Sequence, residues 1–176
     1  MPSQNFSETV FGVILLRKPK SLGRYDSYTG IVTAQRMIFA QMTSDMLKQA
    51  SQMAREQAKA EGKGVWGQMK DQFSACYYYS QKYLTMDPSV ALSETLGNFA
   101  VNNNTISEVK IKLKELDDEN SSQRELEMKV DSTQGKYEFR LEEKDEYVNL
   151  LKQVYGERVK MPFGYLSSSG VRVKLF

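Results

Sequence analysis

Val109-Lys110-Ile111-Lys112-Leu113-Lys114, Glu125-Leu126-Glu127-Met128-Lys129-Val130-Asp131 and Lys136-Tyr137-Glu138-Phe139-Arg140-Leu141 are the segments that decide the fold. Each alternates apolar with charged residues, the pattern of a strand with one buried face and one wet face. If the first two run antiparallel with Val109 opposite Val130, Ile111 meets Met128 and Leu113 meets Leu126. The charged face then sets Lys114 against Glu125 and Lys112 against Glu127. With Val130 opposite Tyr137, Met128 meets Phe139 and Leu126 meets Leu141, while Asp131, Lys129 and Glu127 face Lys136, Glu138 and Arg140. A slip of one residue would turn every apolar side chain into water and break the charge ladder. The pattern predicts a three-stranded antiparallel meander in one register.

Downstream, Glu142, Glu143, Asp145 and Glu146 place negative charge where a helix would begin, which its dipole favours. Tyr147, Leu150, Leu151 and Val154 supply the apolar stripe, and Gly156 suits its end. Residues 157–176 form a tail in which Val171, Val173 and Leu175 alternate with Arg172 and Lys174 behind Ser167-Ser168-Ser169-Gly170. That alternation suits a short added strand. Upstream, Val10–Leu16 is short, apolar and β-branched, as a buried strand should be. Tyr28–Thr33 and Arg36–Gln41 follow with only Ala34-Gln35 between them. The spacing predicts a tight hairpin, although Ala-Gln is not a favoured turn pair.

Residues 43–96 differ in kind. They are rich in Ala, Gln, Met, Lys and Glu, with six basic residues balancing six acidic ones. Thr43 or Ser44 can cap a helix whose apolar side carries Met46, Leu47, Ala50, Met53, Ala54 and Ala58. Glycines 62, 64 and 67 interrupt it; Trp66, Met69, Phe73, Cys76, Tyr77, Ser80 and Leu84 then recur at helical steps. Asp87-Pro88 reads as cap and first turn of a short helix to about Leu96. Gly62-Lys63-Gly64-Val65-Trp66-Gly67 fits a dinucleotide fingerprint by letter, but that site needs a preceding strand, and here a helical pattern precedes it.

Composition narrows function. The chain has 176 residues, 24 basic against 22 acidic, one cysteine and no histidine. One domain of this length buries about two-thirds of its unfolded surface, enough for a core without disulfides. Histidine-dependent nucleophiles, His-ligated metals and thiolate zinc cages are excluded. A net charge of +2 does not suit a nucleic-acid binder. No apolar run approaches the roughly twenty residues of a spanning helix. The opening Met1-Pro2-Ser3-Gln4-Asn5 lacks a basic, apolar leader, so a cytoplasmic location is expected. No arrangement pairs carboxylates such as Asp45, Glu56 and Asp71 as acid and base, so no catalytic residue, cofactor or metal is assigned and the expectation is a non-enzyme.

With the helical block set aside, the order of strands, meander and final amphipathic helix resembles the pleckstrin-homology-like (PH-like) fold, in particular its GRAM and bacterial PH members. Thr33-Ala34-Gln35-Arg36-Met37-Ile38-Phe39 looks like their T-x-x-R-(L/M)-I-(F/V) hairpin, and Ile106-Ser107-Glu108-Val109-Lys110-Ile111 resembles their I-x-x-V-x-(I/V) strand start. The resemblance covers about residues 8–42 and 97–156. It implies an α+β fold: a partly open antiparallel β-barrel capped by a C-terminal helix, here a single domain over 1–156 with a helical hairpin inserted at 43–96. It also implies a non-catalytic adaptor that docks lipid headgroups, membranes or proteins. Arg17, Lys18, Lys20 and Arg24 occupy the stretch that binds phosphoinositides in such proteins, with Asp26 where the cationic cluster usually continues. The same four charges also read as a solvated loop.

The insertion carries Tyr77-Tyr78-Tyr79 and Tyr83. Three consecutive aromatics cannot share one face of a helix, so at least one points away from the core. With Trp66, these tyrosines are the candidate surface for a protein partner or self-association, the alternative being packing on the chain's own barrel. Weak membrane binding through residues 17–24 is the second functional expectation.

Overall fold

The computed structural model describes residues 8–60, 62, 68–114 and 125–165. Eight strands and four helices run in the order β1 (Val10–Pro19), β2 (Tyr25–Thr33), β3 (Arg36–Met42), α1 (Ser44–Ala60), α2 (Gln68–Gln81), α3 (Pro88–Ser93), β4 (Phe99–Asn102), β5 (Ile106–Lys114), β6 (Glu125–Ser132), β7 (Gly135–Glu142), α4 (Asp145–Tyr155) and β8 (Val159–Lys160). The fold is α+β. One open sheet has the order β4-β3-β2-β1-β7-β6-β5-β8. Its neighbours are antiparallel except β5 and β8, which pair in parallel at Val109–Val159 and Lys110–Lys160. The sheet is therefore mixed, where a wholly antiparallel one was expected. Gly156, left-handed at φ +54°, ends α4 and turns the chain back along β5. The Trp66 position, glycines 64 and 67, and the Val171–Leu175 alternation lie outside the described residues.

The meander has the register that the charge and apolar patterns demand. Val109, Ile111 and Leu113 face Val130, Met128 and Leu126, and Val130, Met128 and Leu126 face Tyr137, Phe139 and Leu141. The hairpin of β2 and β3 also turns at Ala34-Gln35, with Val32 opposite Met37. Its turn is secured by tertiary bonds rather than by turn propensity. The Thr33 hydroxyl accepts from the Gln35 and Arg36 amides at 3.2 and 3.0 Å. Asn103 donates from its amide side chain to the Thr33 carbonyl at 2.9 Å and from its backbone to the Gln35 carbonyl at 2.8 Å. Glu8 binds the Thr33 hydroxyl and the Arg36 guanidinium, the latter at 2.9 Å.

Two cores result. The larger lies between the halves of the sheet and includes Ile14, Leu16, Phe39, Met128 and Phe139, with Leu151 and Tyr155 from α4. Gly12 allows α4 to close on β1: a Cβ there would lie 2.7 Å from Leu150 Cδ2. The smaller core covers the opposite side of β2 and β3, where Ile31, Ile38 and Ala40 meet Tyr83 and Ala91. The helical block between β3 and β4 thus packs on the chain's own sheet through a 3₁₀ turn (Lys82–Leu84) and α3, while α1 packs mainly on α2. Helix caps follow the sequence: Thr43 Oγ1 accepts from the Met46 amide at 3.3 Å, and Asp87 Oδ1 from Ser89 at 2.8 Å. The helix expected to reach about Leu96 stops at Ser93, and Leu96 is exposed.

Candidate functional site

The β1–β2 connection carries the four candidate cations, and the fold assigns them different work. Arg17 lies where β1 meets β7, opposite Arg140, the single register pair of that seam. Its guanidinium donates to Glu125 at 2.5 Å, with Arg140 4.0 Å from the other carboxylate oxygen. Lys18 stands 5.8 Å from the centroid of the Phe99 ring. Lys20 pairs with Asp26 at 2.7 Å. Arg24 is exposed, and its side chain has no partner among the described residues. The structure therefore does not bring the four into one cationic cluster. Asp26, the departure visible in the sequence, neutralises the central lysine.

The loop between them is closed by the Lys20 amide, which donates to the Arg24 carbonyl at 2.7 Å. Its 3₁₀ turn (Ser21–Gly23) lifts Leu22 to 89% exposure at φ +61°. Left-handed backbone is costly for a leucine, and its side chain gains no burial in return. Tyr25, next along, is 51% exposed. The tip is thus an apolar point flanked by Lys20 and Arg24. The sequence reading missed Leu22, for only its left-handed, outward geometry marks it.

The tyrosines also divide. Tyr83 is a core residue, 2% exposed, whose hydroxyl donates to Glu94 at 2.6 Å; burial and that carboxylate push its pKa up. Its place on a partner surface is therefore corrected: the 3₁₀ turn swings it under α3, where it anchors the helical block. Lys82 joins the same cluster, binding Glu94 and donating to the Tyr79 hydroxyl at 2.7 Å, and Tyr79 is half-buried. Tyr77 and Tyr78 face outward, Tyr78 at 64% exposure, with their rings edge to face at 6.1 Å. Met53 on α1 is also exposed.

Neither family models, nor curated proteins, nor solved structures provide a match to this chain. The reading rests on the geometry alone.

A small cavity of about 70 Å³ lies beside the seam, between Leu16, Tyr28, Met42, Cys76, Leu141 and Tyr147. Burial pushes the Cys76 thiol up, which disfavours the thiolate that nucleophilic chemistry requires. Among the described residues, no group of three or more cysteines and carboxylates is arranged to hold a metal. No described helix is long and apolar enough to cross a membrane. Helix α1, not a strand, precedes Gly62, whereas a dinucleotide loop follows a strand; residues 63–67 lie outside the described residues.

The lysine stripe of β5 also departs from expectation. Lys112 and Lys114 sit opposite Glu127 and Glu125 in register, but the carboxylates turn elsewhere. Glu125 goes to Arg17 and Arg140, and Glu127 goes to Lys129 at 3.4 Å. Among the described residues, Lys110, Lys112 and Lys114 are in no ion pair.

Proposed function

We propose that this chain is a non-catalytic, PH-like protein-interaction module whose inserted helices carry the docking surface. Support for the PH-like reading comes from the order of elements. Four antiparallel strands are followed by a three-stranded meander and a closing helix over the core between them. The observation that carries the functional reading is the split of the tyrosines. Tyr83 fixes the helical block to the sheet, while Tyr78 and Met53 on the same block are left to solvent. Large exposed aromatic and methionine side chains on a helix pair suit a protein partner. A second copy of the chain is the first occupant to test. Light scattering over a range of concentrations should show mass rising with concentration, and Tyr78→Lys with Met53→Lys should hold the protein monomeric. A monomer at every concentration would remove self-association.

A second reading is favoured by Leu22. An apolar residue presented beside Arg24 and Tyr25, with Lys20 held by Asp26, suits shallow insertion into an anionic membrane surface. Arg17 is unsuitable for the test, because reversing its charge would also break its pair with Glu125. Leu22→Glu with Arg24→Glu should abolish co-sedimentation with phosphatidylserine vesicles. Absence of co-sedimentation by the parent chain would end this reading.

A further inference from the structure

Lys110 stands between two other lysines. In register it faces Lys129 of β6 on one side and Lys160 of β8 on the other. Neighbouring strands lie about 4.8 Å apart, so like charges set directly opposite one another cost stability. Lys129 is compensated, by Glu127 at 3.4 Å and Glu138 at 3.0 Å. Lys110 and Lys160 are exposed and in no ion pair among the described residues, and the same holds for Lys112, two positions along β5. The carboxylate opposite Lys112 is Glu127, which Lys129 has drawn away. A narrow cationic strip therefore runs along the wet face of β5 and β8, although its own lysines repel.

We propose that this strip docks an acidic, extended peptide segment of a partner protein. Spacing and width select that occupant. Lys110, Lys112 and Lys114 repeat about every 6.8 Å along β5. Alternate side chains of an extended peptide have the same repeat, so carboxylates at every second residue of the partner meet the lysines in turn. The strip is also narrow. On β6 and β7 the same face is already neutralised: Lys129 holds Glu127 and Glu138, and Arg17 and Arg140 take Glu125. Towards the start of β5, Glu108 and Asp131 stand opposite each other. A lipid surface is broad and would meet these carboxylates as well as the lysines. A single-stranded nucleic acid needs aromatic side chains on which its bases stack, and neither Ile106–Lys114 nor Val159–Lys160 contains one. The proposal rests on neither the Tyr78 surface nor the Leu22 loop.

Fluorescence anisotropy of the full chain with a labelled peptide of alternating Glu and Ser tests this. The parent should bind the peptide at low ionic strength and release it as salt is added. Lys110→Gln with Lys112→Gln should weaken binding at least tenfold. Lys48→Gln with Lys136→Gln, the same loss of charge at other exposed positions, should change it less than twofold. Lys110→Glu sets a carboxylate between Lys129 and Lys160, so it should raise the urea midpoint while abolishing binding, which separates a lost contact from a lost fold. No binding by the parent, or equal weakening by the two double variants, would overturn the proposal. A lowered midpoint in Lys110→Glu would overturn it too, since the row would then not be repulsive. So would a parent that binds oligothymidylate or phosphatidylserine vesicles through Lys110 and Lys112, giving the strip to a nucleic acid or a membrane instead.

Discussion

Glu125 accepts the Arg17 guanidinium at 2.5 Å across 108 residues of sequence, at the point where the two halves of the sheet touch. Its side chain is only 8% exposed and also approaches Arg140. β1 and β7 share a single register pair there, so this carboxylate bridges strands that few ladder bonds join, alongside the packing of Ile14 and Leu16 with Phe139 and Leu141.

Removing that charge should therefore open the seam. Glu125→Gln leaves two guanidinium groups without a counter-ion. Breaking a buried pair typically costs about 3–5 kcal/mol. Arg17 keeps 30% of its side chain in water, so we expect roughly 2 kcal/mol in urea denaturation. Glu127→Gln, one strand position pair away and bonded only to surface Lys129, should cost less than about 1 kcal/mol. Equal costs at the two sites would show that the seam is held by packing alone.

Asn103 offers a second test, since it ties the β2–β3 turn to the far end of α4. It donates to the Thr33 carbonyl at 2.9 Å and accepts from the Tyr155 hydroxyl at 2.8 Å. Asn103→Ala strands both groups in a buried site, for an expected loss of about 2 kcal/mol. Tyr155→Phe breaks only one bond and should cost about 1 kcal/mol. The double variant should then fall short of the sum, because both changes remove the same contact. Strict additivity would mean the bond contributes nothing.

The meander was legible because period-two alternation leaves one register that satisfies both faces. Thr43, Asp87 and Gly156 were legible because caps obey local chemistry. Glu125 was not. It stands in phase with wet-face residues, and only the long-range approach of β1 buries it. The lysines of β5 then lose the partners that register alone assigns them. Tyr83 was misplaced for a similar reason: helical spacing groups it with Tyr79, whereas the chain tightens into a 3₁₀ turn at Lys82 and rotates it inward. The weak Ala34-Gln35 turn is explained by Thr33, Asn103 and Glu8, two of which are distant in sequence. Leu22 carries no sequence signal at all.

Alkaline pH should destabilise the fold through its buried phenols. Tyr28, Tyr83, Tyr147 and Tyr155 all have raised pKa values, with burial the leading cause in each. Their protonated forms are favoured when folded. That contribution is complete below the unfolded value of about 10 and is lost as pH rises through the folded values. Absorbance at 295 nm should thus show these four ionising only together with loss of the far-ultraviolet dichroism. A single step near pH 10 for all ten tyrosines with the dichroism intact would refute this.

Leu22 allows stability and surface function to be separated. A leucine at φ +61° is strained by roughly 1 kcal/mol, because its Cβ crowds the following carbonyl. At 89% exposure it has almost no burial to set against that strain. Glycine relieves the strain but adds freedom to the unfolded chain, so Leu22→Gly should stabilise the protein by about 0.5 kcal/mol, read from urea denaturation. The same change deletes the apolar tip while leaving Lys20 and Arg24 in place. If the loop inserts into membranes, the more stable variant should bind anionic vesicles more weakly than the parent, the trade expected where an unfavourable conformation is retained for function. A variant that is stabilised and binds as well as the parent would reduce the loop to a solvated turn.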